Sequence, residues 1–143
     1  MKLATTRFGE LEIAEEFVYS FPEGLPGFEG KRYVLIQHPD NALVAWLQSA
    51  HDPAIALMLM DPMLLEPEYH YDPRPNDLSP IEKDSLDGVD CRVIVRRGER
   101  DGELFVNLVA PVLFNSARGK AMQLPLVGSP WSVREIWPKR SEP

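Results

Sequence analysis

Short runs in which apolar and polar residues alternate recur along most of this chain: Lys2 to Arg7, Glu10 to Ile13, Phe17 to Phe21, Arg32 to Gln37, Leu43 to Gln48, Ile55 to Met60, Arg92 to Arg96 and Leu104 to Val112. A period of two puts successive side chains on opposite faces of a sheet, so each run predicts a strand with one buried face. Many short strands separated by turn residues predict a mainly β fold: a single-domain antiparallel β-barrel-like architecture. Arg7-Phe8-Gly9-Glu10 has the composition of a first hairpin turn. The charged, glycine-bracketed stretch Gly98 to Gly102 predicts another, between strands ending at Arg97 and beginning at Glu103.

The period changes once. Ser79 as N-cap, Pro80 at the first helical position, Glu82 at capping-box spacing and Gly88 as a stop predict one short helix, with Leu78, Ile81 and Leu86 along an apolar flank. The stretch before it, Glu66 to Asp77, carries Pro67, Pro73 and Pro75 and excludes a regular strand or helix. Residues 135–143 match no pattern, and from Trp137 onward two prolines and mixed charges predict a frayed tail.

At 143 residues the chain is long enough to bury one core without disulfides or metal and short enough that a second core is not expected, so one domain spanning 1–143 is predicted. Its single cysteine, Cys91, sits in an apolar alternating run, where a small buried side chain is the ordinary reading and a reducing compartment the ordinary setting. No cationic segment followed by an apolar one opens the chain, and the longest apolar stretch, Ile55 to Met60, is too short to span a bilayer. A soluble cytoplasmic protein without a membrane partner is expected.

The net charge of −7 argues against direct nucleic-acid binding, which needs concentrated lysine and arginine. The distribution says more than the total. Met1 to Leu65 holds four basic and nine acidic residues, Glu66 to Asp90 two and eight, and Cys91 onward nine and five. Acid therefore peaks in the proline-broken stretch before Cys91, which either forms a solvated loop or offers a steering surface to a basic partner. Tyr69-His70-Tyr71-Asp72 lies inside it, and tyrosines exposed among carboxylates would have the composition of an interface. Glu66, Glu68, Tyr69, Tyr71, Asp72 and Asp77 are the candidate partner-binding residues.

Catalytic constellations are missing from the pattern. His38, His51 and His70 lack metal-ligand spacing, although His51, Asp52, Asp61 and His70 could in principle converge from loops. Ser49 and Ser129 occupy no strained nucleophile turn, and there is no glycine-rich phosphate loop. A non-enzymatic protein without cofactor or metal is expected.

The most specific eight residues are Phe21-Pro22-Glu23-Gly24-Leu25-Pro26-Gly27-Phe28. Two prolines fix φ while two glycines permit positive φ, giving a rigid double bend with an apolar underside of Phe21, Leu25 and Phe28. This segment resembles the F-P-x-G-L-P-G-F signature of the flagellar assembly factor FliW family. Three further blocks repeat the resemblance in order: Trp46-Leu47-Gln48-Ser49 with Asp52-Pro53; Asp61-Pro62 leading to Pro67-x-Tyr69; and Asn107-Leu108-Val109-Ala110-Pro111-Val112 with Asn115, then Gly119-Lys120-x-x-Gln123. It spans about Lys2 to Arg134. Glu66, where family members usually carry an apolar or aromatic residue, departs from it.

The resemblance implies a cytoplasmic, non-enzymatic β protein of flagellum biogenesis that switches partners. Relatives bind newly made flagellin, acting as its chaperone, and also bind CsrA, a small basic RNA-binding translational repressor, relieving repression of flagellin synthesis. Gln48, Asn107 and Asn115 fall in the shared blocks, where polar side chains beside strands ordinarily satisfy backbone groups. Two other readings carry their own requirements: a generic β-barrel small-ligand-binding module needs a preformed apolar cavity, and a hydrolase needs a perturbed titratable pair within one.

Overall fold

The computed structural model describes residues 1–140, and within them the alternating runs become strands. β1 (Lys2–Thr5) and β2 (Gly9–Glu12) pair antiparallel as a separate hairpin. Nine more share one sheet: β3 (Val18–Ser20), β4 (Arg32–Gln37), β5 (Val44–Ser49), β6 (Ala56–Met60), β7 (Asp90–Arg97), β8 (Leu104–Val106), β9 (Val112–Asn115), β10 (Lys120–Gln123) and β11 (Glu135–Trp137). The order β7-β6-β5-β4-β3-β10-β9 returns to β7, closing a seven-stranded barrel. A ring with an odd number of strands cannot alternate direction all the way round. The forced exception to the antiparallel expectation is the single parallel pair Ser20 with Lys120 between β3 and β10.

β7 is long enough to serve two neighbours along one edge. Asp90, Cys91 and Arg92 pair with β9, whereas Val95, Arg96 and Arg97 pair with β8. β11 then adds to β8 with Ile136 opposite Phe105, so β8 and β11 form a flap beyond the barrel wall. Flap and barrel separate where the run Leu104 to Val112 was expected to be one strand. It breaks at Asn107 to Pro111: Pro111 has no N–H to give a ladder, and Asn107 Oδ1 accepts from Ala110 N at 3.2 Å, turning the chain.

Inward-facing positions follow the period of two. Tyr19, Tyr33, Leu47, Leu59, Val112, Phe114 and Ala121 fill the lumen together with Phe21 and Leu25 of the signature bend. Phe21 closes the barrel mouth with its ring edge-on to Tyr33 at 5.0 Å and to Phe114 at 6.4 Å. Phe28, expected on the same underside, remains 37% exposed. The lumen is thus a packed core. The β1–β2 hairpin covers β5 from outside through Thr6 N donating to Pro53 O at 2.9 Å and Phe8 lying 5.9 Å from Trp46.

Two further expectations are corrected. The helix placed at Ser79 to Gly88 is a 3-10 helix over Pro75–Ile81 instead, entered from extended Arg74 and ended by Glu82 in the left-handed region at φ 58°. Its three-residue turn sets Leu78 and Ile81 on one face, which a helix begun at Ser79 would lose. A one-turn helix α1 (Pro62–Leu65), capped by Asp61, was not foreseen. The tail is also more ordered than expected. Glu135–Trp137 is β11, and Arg140 meets Glu103; residues 141–143 of the expected frayed tail lie outside the described residues.

Gly27 and Gly30 both sit at φ 87°, where an L side chain is strained. At Gly27 an added Cβ would meet nothing within 4 Å; at Gly30 it would fall 2.6 Å from His51 Cβ. Gly27→Ala should therefore cost about 1–2 kcal/mol from backbone strain alone, and Gly30→Ala distinctly more. Urea unfolding of both variants checks the order, and equal costs would contradict it.

Candidate partner-binding groove

The chain between β6 and β7 is the acidic stretch, and it wraps the outside of the barrel. Asp61 Oδ1 accepts from Met63 N at 2.9 Å and Pro62 occupies the first helical position, so α1 starts at once. Leu65 then drops into an apolar cluster with Val93 and Val95 of β7. From Tyr69 the segment alternates again: Tyr69 is 4% exposed, His70 is exposed, Tyr71 is half-buried and Asp72 is exposed.

The tyrosines expected to be exposed therefore point inward. Tyr69 donates its hydroxyl to Leu108 O at 2.7 Å, and its ring leans on Tyr71 at 5.6 Å and Trp131 at 5.5 Å. Tyr71 donates to Cys91 Sγ at 3.2 Å. The reason is the outer face of β7, where Val93 and Val95 leave an apolar strip that the two rings cover. Tyr69→Ala would remove a core ring, at a cost of about 3–5 kcal/mol by analogy with Phe→Ala, and reports on folding before it reports on binding. Farther along, Leu78 and Ile81 are fully buried on Leu113, Met122 and Leu124, and Asn115 Nδ2 donates to Ile81 O at 2.7 Å.

With the tyrosines inside, the carboxylates are left outside. Glu68 and Asp72 are exposed. Asp77 is half-buried and its Oδ2 accepts from Arg74 N at 2.8 Å, so it caps the 3-10 turn as well as lining the surface. Glu66 does not stand free: Lys139 Nζ lies 3.1 Å from it. Burial raises the Tyr69 and Tyr71 hydroxyls well above their ordinary range and pushes the Cys91 thiol up to about 11. All three stay neutral near pH 7.

Between this segment and the loop that follows β10 runs an open groove of about 680 Å³. One wall is His70 to Pro80, with Tyr71, Asp72 and Asp77 among its residues. The floor is Met122 and Leu124, the other wall runs from Leu126 to Trp131, and Glu23 stands at the rim. Three of the six candidates meet here. Tyr69 lies beneath the segment, and Glu66 and Glu68 lie outside the groove. Sequence reasoning missed Glu23 and the whole 122–131 wall. Glu23 occupies the position that F-P-x-G leaves open, and Val127, 98% exposed, is the signal the other wall offered: an aliphatic side chain in a Pro-Gly-Ser-Pro loop with no strand to bury it.

The remaining polar side chains bond mostly to nearby backbone, although the buried Oε1 of Gln48 has no hydrogen-bond partner among the described residues. Gln48 Nε2 donates to Ser49 O at 3.0 Å and Pro53 O at 3.2 Å, and His38 Nδ1 accepts from Asp40 N and Asn41 N at 3.0 Å. His51 Nε2 lies 3.6 Å from a Glu29 carboxylate. Among the described residues no group of three or more His, Cys, Asp and Glu could hold a metal ion, and no helix is long and apolar enough to cross a membrane.

Comparison with known proteins gives one answer. The family model described as FliW protein matches residues 2–136. A flagellar assembly factor FliW from Syntrophus aciditrophicus is 36% identical over 135 residues, covering 94% of this chain and 85% of that protein. One from Alkaliphilus metalliredigens is 34% identical over 128 residues, covering 88% and 79%. A crystal structure of the flagellar assembly factor FliW superimposes with a TM-score of 0.87 at 28% identity, covering 99% of this chain and all of the other.

Tyr69, which is buried, and Cys91 and Tyr71, which are half-buried, hold protons that an unfolded chain releases from about the ordinary values of 9.0 and 10.0. Above those values the folded state binds more protons than the unfolded one, so stability falls as pH rises. The thermal midpoint should decline between pH 9 and 11, and Cys91→Ala should remove the earliest part of the fall. A midpoint unchanged to pH 11 would contradict the burial of these groups.

Proposed function

Because this chain belongs to the FliW family of flagellar assembly factors, we propose that it works in the cytoplasm as a non-enzymatic partner-switching protein: it binds newly made flagellin, captures the basic repressor CsrA, and so relieves repression of flagellin synthesis. The observation that carries the CsrA half is the outward presentation of Glu68, Asp72 and Asp77 on a segment held rigidly to the barrel by Tyr69, Leu78 and Ile81. A fixed carboxylate array loses little entropy on docking and steers a cationic partner through its field. The same field repels RNA phosphates from a repressor it has captured, without any need to fill the RNA site.

The filled lumen supports recognition at the surface in preference to a small ligand held inside. Tyr19, Tyr33, Leu47, Leu59, Phe114 and Phe21 occupy the space that a barrel-type ligand would need. The groove floor of Met122 and Leu124 adds an apolar component beside the charges, the combination expected of an interface with a polar rim.

Reversing charge with Glu68→Lys and Asp72→Lys should slow CsrA association by about tenfold at low salt, with the difference shrinking as the Debye length falls below about 8 Å. Stopped-flow mixing across a salt series measures it, with circular dichroism to show that the variant is folded. Association unchanged at every salt concentration would move the interface elsewhere.

A further inference from the structure

Two carboxylates that are far apart in sequence are held by adjacent residues of the C-terminal tail. Glu103, beside the Gly98 to Gly102 turn, has only 8% of its side chain exposed. It accepts Arg140 Nε on Oε2 and Arg140 Nη2 on Oε1, both at 2.9 Å, and Arg100 N at 3.3 Å. One residue earlier, Lys139 Nζ lies 3.1 Å from Oε2 of Glu66, whose side chain is 13% exposed although that of Lys139 is 81% exposed. Glu66 begins the acidic stretch, and Glu103 belongs to the flap. The tail reaches both by pairing β11 with β8 and by packing Trp137 into the apolar cluster that contains Tyr69 and Trp131, the last of which also lines the groove.

We infer that Glu66 and Glu103 form a subsite for two neighbouring basic side chains, one guanidinium and one ammonium, which this chain's own Lys139 and Arg140 occupy until a basic partner displaces them. The inference rests on the reading that the partner of the acidic face is basic. Its chemistry is visible in the occupied state. Glu103 receives the two-pronged fork that a guanidinium offers and an ammonium does not, whereas Glu66 receives a point charge. When the tail leaves, Glu103 gives up a two-pronged charge-assisted pair, a loss that an incoming guanidinium restores. Exchange of one guanidinium for another is close to balanced, the condition under which modest differential affinity decides occupancy.

The tail is suited to displacement. β11 has three residues, and the Lys139 and Arg140 contacts lie past residue 136, where the match to the family model ends. Tethering gives it an effective concentration on the order of millimolar, so it lowers the apparent affinity of a competing segment without abolishing it.

The test compares full-length wild type with Lys139→Ala/Arg140→Ala, with Lys139→Ala alone, and with Lys2→Ala/Arg118→Ala, which removes the same charge from the N-terminal hairpin and the β9–β10 turn. Fluorescence anisotropy with labelled hexa-arginine and stopped-flow capture of purified CsrA are read at low and high salt. The tail double variant should bind both probes about threefold to tenfold more tightly at low salt, Lys139→Ala should fall between it and wild type, and the control should gain much less. Since Lys139 is exposed, the single variant keeps the test valid if loss of Arg140 disturbs the flap. Tail and control variants that match each other with both probes would overturn the subsite. Hexa-arginine gaining on the tail variants while CsrA binds none of the proteins would support the subsite and remove CsrA as the partner.

Discussion

A barrel whose wall is apolar on both faces has to be covered from outside, and the organisation of this protein follows from that requirement. In β7, Ile94 packs against the luminal core while Val93 and Val95 face away from it; in β9 and β10, Phe114 and Ala121 point in while Leu113 and Met122 point out. Leaving those outer side chains in water would forfeit about 1.5–3 kcal/mol for each large aliphatic residue. The segment from Asp61 to Val89 supplies the cover. Leu65, Tyr69, Leu78 and Ile81 are its points of attachment, and the intervening residues are turned outward by the same geometry.

That division makes a surface out of a packing solution. Because Tyr69 and Tyr71 must point inward, Glu68, His70 and Asp72 must point outward, and the acidic character of the stretch becomes a fixed array. The prolines that forbid regular structure hold this array in place, and the 3-10 turn over Pro75–Ile81 fastens its far end. Glu66 and Glu103, whose side chains are little exposed, are the ones given counter-charges by the tail, whereas Glu68 and Asp72 stand exposed.

Much of this was legible in the chain. Period-two alternation located the barrel strands that sit in regular ladders, with Arg32–Gln37 matching its expected bounds in full and most others shifting by a residue or two. The signature bend announced Phe21 and Leu25 as core and its glycines as positive-φ positions. Alternation fails where strands are very short or interrupted: Lys120–Gln123 and Glu135–Trp137 are too brief to show a period, and Asn107 to Pro111 imitates a strand while turning. The capping signal at Ser79 is not used, because a helix begun earlier, at Pro75, seats Leu78 and Ile81 together on one face. Tyr69 and Tyr71 were misread because composition suggested an interface while their own spacing, two residues apart, already placed them on one face. The tail contacts join residues far apart in sequence and left no local trace, and the groove left only Val127, an aliphatic side chain in a loop.

Hydrogen–deuterium exchange of the full-length protein, free and bound to purified CsrA, tests the central claim most directly: that the cover segment over the barrel is the recognition surface. The account predicts new protection in residues 66–77 and 122–131, with the barrel strands unchanged. Protection confined to the β1–β2 hairpin or the signature bend, with residues 66–77 exchanging as in the free protein, would contradict it.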